Sequence, residues 1–324
     1  MKIAVRRIAI AGLLLSAMSV SGSGLAQSYP AKAIRMVVPY SPGGGTDIVG
    51  RALAQEVGKA LQQQIVVENK AGANGNIGME FVAKAEPDGY TILFTTSSLA
   101  INPSVYKGLP YDPLRDFAPI ALATVIPFIL VVHTSLPTAS AKELISLARA
   151  RPRQLAYSSS GAGNATHLAM ALFEMMAKIH MNHVPYKGTG QALSDLMGGH
   201  VQLMFGAIPS TYPAVKAGKL RVLAISSAQR SATLPEVPTV AEAALPGYEL
   251  ASWYGALAPA GTPDAIVMRL NAEIVKALSQ PEIVARLSKM GADPAGNSAK
   301  AFQAYIKSET QKYSKIVQAV EISR

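Results

Sequence analysis

The chain of 324 residues contains no cysteine. That excludes disulfides, thiolate nucleophiles and cysteine-bound zinc, and it removes the lipid-modified cysteine that would tether an exported protein to a membrane. Aromatic residues are scarce, 6% of the chain with a single tryptophan. Little is left for a surface on which bases could stack. The formal charge is +10, but Lys and Arg are spread along the chain without a run of five or six, so no nucleic acid partner is expected. A scattered positive field favours encounter with small anions instead, in a salt-dependent way. Beyond the first 26 residues no apolar stretch approaches the roughly 20 residues that span a bilayer, so stable membrane insertion is not expected.

The N-terminus has its own layout. Lys2, Arg6 and Arg7 precede an apolar run over 8–20, and Gly24 and Ala26 stand at the −3 and −1 positions of a cleavage site. The run of about 13 residues is too short for a span and suits a secretory signal peptide. Cleavage near Ala26 would start the mature chain at Gln27 in the periplasm. The Arg6-Arg7 pair leaves Sec and twin-arginine export both open. Removing this segment takes three cations and no acid, which lowers the net charge to about +7. The remainder has the size of one large or two ordinary domains, and a soluble monomer is expected.

Short β-rich runs at 34–38, 65–68, 90–94, 128–133, 155–158, 201–205 and 220–226 alternate with helical stretches. Most are apolar on both faces, as in parallel strands covered by helices. Ile48, Ala52, Leu53, Val57, Ala60 and Leu61 fall on one helical face. Ser140 to Glu143 and Thr239 to Glu242 fit capping boxes, and Thr262-Pro263 places proline at a first helical position. From about Pro263 the chain reads as nearly all helix. The alternation argues for an α/β fold with mainly parallel sheets. Two apolar segments read as crossings between domains: 123–128, with Pro127, and 252–259, with Trp253. The expected plan is a discontinuous first domain, 27–125 and 252–324, a second domain, 126–251, and a ligand cleft between their sheets.

The most informative loop is Pro39-Tyr40-Ser41-Pro42-Gly43-Gly44-Gly45-Thr46-Asp47, which leaves a predicted strand and opens a predicted helix. Its glycines let backbone approach a ligand, and the first-turn N–H groups can hold an anion without a cationic side chain. The same residues also suit a plain strand-to-helix turn capped by Thr46 or Asp47. A nucleotide is excluded: there is no G-x-G-x-x-G in register and no Lys-Ser/Thr ending. Asp47, which would repel an anion, fits a cap, a positioning group or a partner for a ligand ammonium. A second loop, 157–167, offers Ser160, Gly161, Gly163, Thr166 and His167. Thr96 and Ser97 end another strand, as do Phe205, Gly206 and Ala207. Lys187, after Tyr186, is a cation that could face the cleft.

Catalysis and metal binding find no support. Ser160 with His167 as base lacks a third member, and Ser158 stands where a nucleophile elbow needs glycine. His180 and His183 are three apart, but no acidic cluster accompanies them or the other three histidines. No cofactor is implied.

The chain also carries Tyr29-Pro30, Val67-Glu68-Asn69-Lys70 with Gly72, Gly75-Asn76-Ile77-Gly78 and Pro87-Asp88-Gly89-Tyr90. Leu109-Pro110-Tyr111-Asp112, Asp116-Phe117-Ala118-Pro119-Ile120 and His183-Val184-Pro185-Tyr186-Lys187-Gly188 follow. Leu234-Pro235-Glu236-Val237-Pro238-Thr239 and Ala258-Pro259-Ala260-Gly261-Thr262-Pro263 complete the series. In this order, with the 39–47 loop, they resemble the Bug, or TctC-like, solute-binding receptors of tripartite tricarboxylate transporters over nearly all of the mature chain. The resemblance implies a periplasmic binding-protein fold of two α/β domains joined by two crossing strands. It implies a small carboxylate ligand and membrane transporter subunits as partners. By position it implies ligand contacts at Tyr40, Gly45, Thr46 and Asp47, across 159–167, and at 205–207. The family pattern often has Asn at the position of Ala162 and Asp at that of Gly206. Their absence favours a plain or aromatic carboxylic acid over one with an ammonium group, whose buried charge would go unpaired. The alternative role is a sensory receptor presenting a carboxylate to a two-component system.

Overall fold

A computed structural model describes residues 29–186, 188–289 and 291–319. The segment read as a signal peptide, its cleavage point near Ala26, and Lys187 lie outside these residues. Residues 29–31 precede the body and include a cis Tyr29–Pro30 peptide. From Lys32 onward the chain forms one compact unit.

The first elements are β1 (Ile34–Val38), α1 (Gly45–Leu61), β2 (Ile65–Asn69), α2 (Asn76–Ala83), β3 (Thr91–Thr96) and α3 (Ser98–Val105). A long strand, β4 (Phe117–His133), leads to α4 (Ala141–Ala150), β5 (Ala156–Ser159), α5 (Ala165–Ala177), β6 (Asn182–Pro185) and α6 (Thr189–Met197). Then come β7 (Leu203–Ala207), α7 (Ile208–Lys216), β8 (Leu220–Ile225), α8 (Val240–Ala243) and β9 (Ala251–Pro259). The end of the chain is α9 (Asp264–Leu278), α10 (Pro281–Lys289), the short β10 (Asp293–Pro294) and α11 (Ala299–Ala319).

The strand order is β2-β1-β3-β9-β4-β7-β5-β6, with β8 and β10 also paired to β4. The flanks are parallel: β1 lies between β2 and β3, and β5 between β6 and β7. The centre is antiparallel. β4 pairs with β9 from Phe117 to Pro127, then with β7 and β8 from Phe128 to His133. One continuous strand thus pairs with both sets of strands, the β1–β3 side, here termed the first lobe, and the β5–β8 side, the second. The predicted strand at 128–133 is its second half. The expected crossing segment 123–128 forms part of its first half; residues 117–122 were not read as strand, and Pro119 sits there beside irregular pairing, where the register with β9 slips between Pro119 and Ala121. The edge strand β6 escaped notice because none of its residues is fully buried, so it has no apolar run.

Local signals mostly have simple causes. Thr239 makes a full capping box with Glu242. Ser140 accepts the Glu143 N–H, but the Glu143 carboxylate reaches back to the Ala139 N–H instead. Pro263 caps α9 from outside, and the helix starts at Asp264. On α1, Ala52, Leu53, Val57 and Leu61 are buried with Val49, while Ile48 and Ala60 are exposed. The buried stripe is rotated slightly from the expected one.

Two features hold the crossing strands. Ser226 N–H donates to the Phe128 carbonyl, and its hydroxyl accepts the Phe128 N–H at 2.9 Å and donates to the Leu250 carbonyl. This residue therefore ties β4 to the chain entering β9. On the other side α11 covers β9. Trp253 is fully buried, with Phe302 edge-on at 5.4 Å and Tyr305 at 6.1 Å, and the Tyr313 hydroxyl donates to the Ala251 carbonyl at 2.9 Å. Gly255 leaves space for the Phe302 ring, which a Cβ would meet at 2.2 Å. Truncating Phe302 opens a cavity beside the tryptophan, so Phe302→Ala should cost about 3–5 kcal/mol of stability. Urea unfolding followed by Trp253 fluorescence measures this; a loss below about 1 kcal/mol would show that α11 does not brace β9.

Candidate ligand-binding site

Strand direction brings the candidate loops together. β3 runs antiparallel to β9, which runs antiparallel to β4, so β3 and its parallel neighbour β1 point the same way as β4, toward the second lobe. β7 is antiparallel to β4 and, with β5, points back toward the first lobe. The carboxyl ends of both strand sets therefore face the junction, where ligands bind in open α/β sheets. Register gives the spacing. Thr96 is level with Tyr254 and hence with Thr124 of β4, whereas Ala207 is level with Phe128. Four strand residues at ~3.3 Å each separate the two ends by about 13 Å, room for a small molecule.

In the first lobe, α1 begins at Gly45 with no side-chain cap, and Gly43 and Gly44 are exposed. Its first-turn N–H groups and the helix dipole suit an anion. Behind this turn the Asp47 carboxylate is buried and heavily engaged. It accepts the Gly43 N–H at 2.9 Å, Arg51 at 3.0 Å and Asn69 at 3.0 Å. Burial pushes its pKa up, but Arg51, the Gly43 N–H and Asn69 outweigh this and hold it below the usual carboxylate value. Asp47 therefore shapes the loop. The buried Thr46 hydrogen-bonds Tyr254, whose burial raises its hydroxyl to about 12. A Cβ on Gly45 would stand 2.7 Å from that hydroxyl. The Tyr40 hydroxyl bonds Thr96 at 2.7 Å and Thr95 at 3.3 Å. Ser97 is buried and bonds Ser252 at 3.0 Å.

In the second lobe Asn164 caps α5. Its side-chain oxygen accepts the Thr166 and His167 N–H groups, and its amide donates to Ser160 Oγ at 2.7 Å. Thr166 Oγ1 accepts the Ser160 N–H. The Ser160 hydroxyl thus meets Asn164 and Thr166, while His167 Nδ1 accepts the Gly163 N–H. Gly163 has φ +75°, and a Cβ there would press on Val105 of α3 at 2.7 Å, so this loop touches the first lobe. At the end of β7, Phe205 points into the core, stacked on Tyr248 at 6.0 Å. A side chain on Gly206 would run into Thr211 of α7 at 2.2 Å. Thr211 fills the space beside Gly206, so the absence of Asp there reflects packing against α7 and says nothing of a ligand ammonium group. Among the described residues no group of three or more His, Asp or Glu is placed to hold a metal ion, and no helix is long and apolar enough to cross a membrane.

The family model described as the tripartite tricarboxylate transporter family receptor matches residues 49–322. The chain belongs to this receptor family. The receptor is similar to three solved structures. One is an R. palustris protein, Rpa4515, with adipate: 37% identity, TM-score 0.84, 90% of this chain and 98% of that one. Another is the periplasmic binding protein BugD, at 33% identity, TM-score 0.81, 91% and 100%. The third is MatC from Rhodopseudomonas palustris with bound malate, at 32% identity, TM-score 0.78, 89% and 100%. The two-lobed periplasmic binding-protein fold is common to them.

Three residues joined to the receptor's loops had no mark in the sequence as parts of a site, Tyr254, Ser252 and His183, while Asn164 lay within the 157–167 loop without a role of its own. Asn164 was legible as a helix cap, since Asn followed by an apolar helical run is a strong start signal. Tyr254 and Ser252 reach the loops only through the pairing of β9 with β3, which no local pattern encodes. For Asp47, replacement by Asn removes charge-assisted bonds and should cost about 1–3 kcal/mol at pH 7. Because the folded carboxyl has the lower pKa, its contribution is present above the unfolded value and is lost as pH falls through the folded one. The stability gap between wild type and Asp47→Asn should therefore close below about pH 4; a gap unchanged at pH 3 would refute this role.

Proposed function

We propose that the receptor captures a small organic carboxylate in the periplasm, after removal of its signal peptide near Ala26, and presents it to a tripartite tricarboxylate-type transporter. The supporting observation is the convergence of the uncapped N-terminus of α1 with the hydroxyl-rich loops at 96–97 and 160–167. These groups are neutral donors, suited to a carboxylate. Arg51 is already paired with Asp47, so recognition falls to backbone and hydroxyl groups, with Tyr40, Gly45, Thr46, Thr96, Ser160, Gly161 and Thr166 as the contacts. The relatives solved with adipate and malate support the ligand class. An acid without an ammonium group is favoured, because the Asp47 carboxylate is occupied by its own neighbours. Capture then needs no catalysis: the lobes 27–125 with 252–324 and 126–251 close about the crossing strands, as hinged receptors do.

Thermal unfolding of the mature chain, refolded to remove co-purified ligand, tests this. It is read against mono-, di- and tricarboxylic acids, an acidic amino acid and matched amides. An acid at 100 times its Kd should add about 2.7 kcal/mol while its amide adds nothing. A folded protein shifted by no acid, or equally by acid and amide, would sink the carboxylate reading.

A further inference from the structure

Beneath the second-lobe loop lies a stack of three rings. His167 of α5 and His183 of β6 are face to face at 3.7 Å with 10° between planes, and Tyr157 of β5 stacks on His183 at 4.9 Å. His183 stands outside the loop, yet it is joined to it. Its Nε2 lies 2.7 Å from Ser159 Oγ, and that hydroxyl bonds both the Gly161 carbonyl at 3.1 Å and the Gly161 N–H at 3.2 Å. Gly161 has φ +149°, a conformation that only glycine adopts readily. Ser159 therefore grips both backbone groups of a residue whose shape depends on being held, and His183 orients the gripping hydroxyl. Burial lowers the His183 pKa to about 4, so the ring is neutral near pH 7.

A phenyl ring at 183 could stack in the same place without the cost of desolvating an imidazole. Among the described residues, the hydrogen bond that His183 makes is the one to Ser159. The imidazole is thus explained by the loop rather than by the core. We propose that His183 is a positioning residue for the ligand site, setting through Ser159 the shape of the 160–163 loop that receives the ligand. This rests on the receptor reading above and adds a residue that touches no ligand.

The test uses the mature protein, with His183→Phe keeping the stack and Ser159→Ala removing the link. Two readouts are taken. Amide exchange at Gly161 and Gly163 in the ligand-free protein should quicken at least about tenfold in both variants, as local opening becomes easier. Binding of adipate as the probe acid, by calorimetry, should weaken roughly five- to tenfold in each, the equivalent of one hydrogen bond. The double variant should be no weaker than the worse single one, because both break the same link. Unchanged exchange in His183→Phe overturns the proposal whatever ligand the receptor takes. So do losses that multiply in full in the double variant. Normal adipate binding by His183→Phe also defeats the proposal while leaving the receptor reading intact.

Discussion

Two strands, β4 and β9, run antiparallel through the middle of the molecule, and every loop of the site takes its level from their register. Thr96, Tyr254 and Thr124 share one level, and Ala207 and Phe128 share another. The spacing of the candidate loops along the strands is therefore set by backbone hydrogen bonds. Side chains brace these strands: Ser226, just after β8, holds Phe128 in the middle of β4, and Phe302 and Tyr313 of α11 pack on Trp253 and Ala251 of β9.

Charge is handled in one consistent way around the site. The first loop's carboxylate is neutralised locally by Arg51 and by backbone and amide donors. The second loop rests on an imidazole that burial keeps neutral. The candidate contacts proposed for the ligand are peptide N–H and hydroxyl groups. Such groups supply partial charge with little desolvation cost, and they leave room for an anion to bring the full charge with it.

Much of this was legible in the sequence. The 39–47 loop has a glycine run between a β-branched strand and an apolar-periodic helix, and both periods are local. The 157–167 loop was readable for the same reason. The chain centre was less so: 123–128 and 252–259 were legible as crossings, but the extent of β4 from Phe117 rests on pairing with residues more than a hundred positions away. Side-chain direction was also hidden. Gly206 was read as lacking the family's Asp, yet Thr211 stands where a side chain there would go. Phe205 ends a strand near the junction but turns into the core, because alternate residues of a strand face opposite sides.

The order of the strands carries a consequence for how the protein is made. β9 lies between β3 and β4, although it is synthesised after both. Leu93 must wait for Leu257, and α11, which braces β9, follows later still. The growing polypeptide therefore cannot close its central sheet until β9 has been made. Contacts of such long sequence separation slow folding, so a chain that already has β1 to β8 remains open in the middle. Residues from 251 onward complete what the first hundred began.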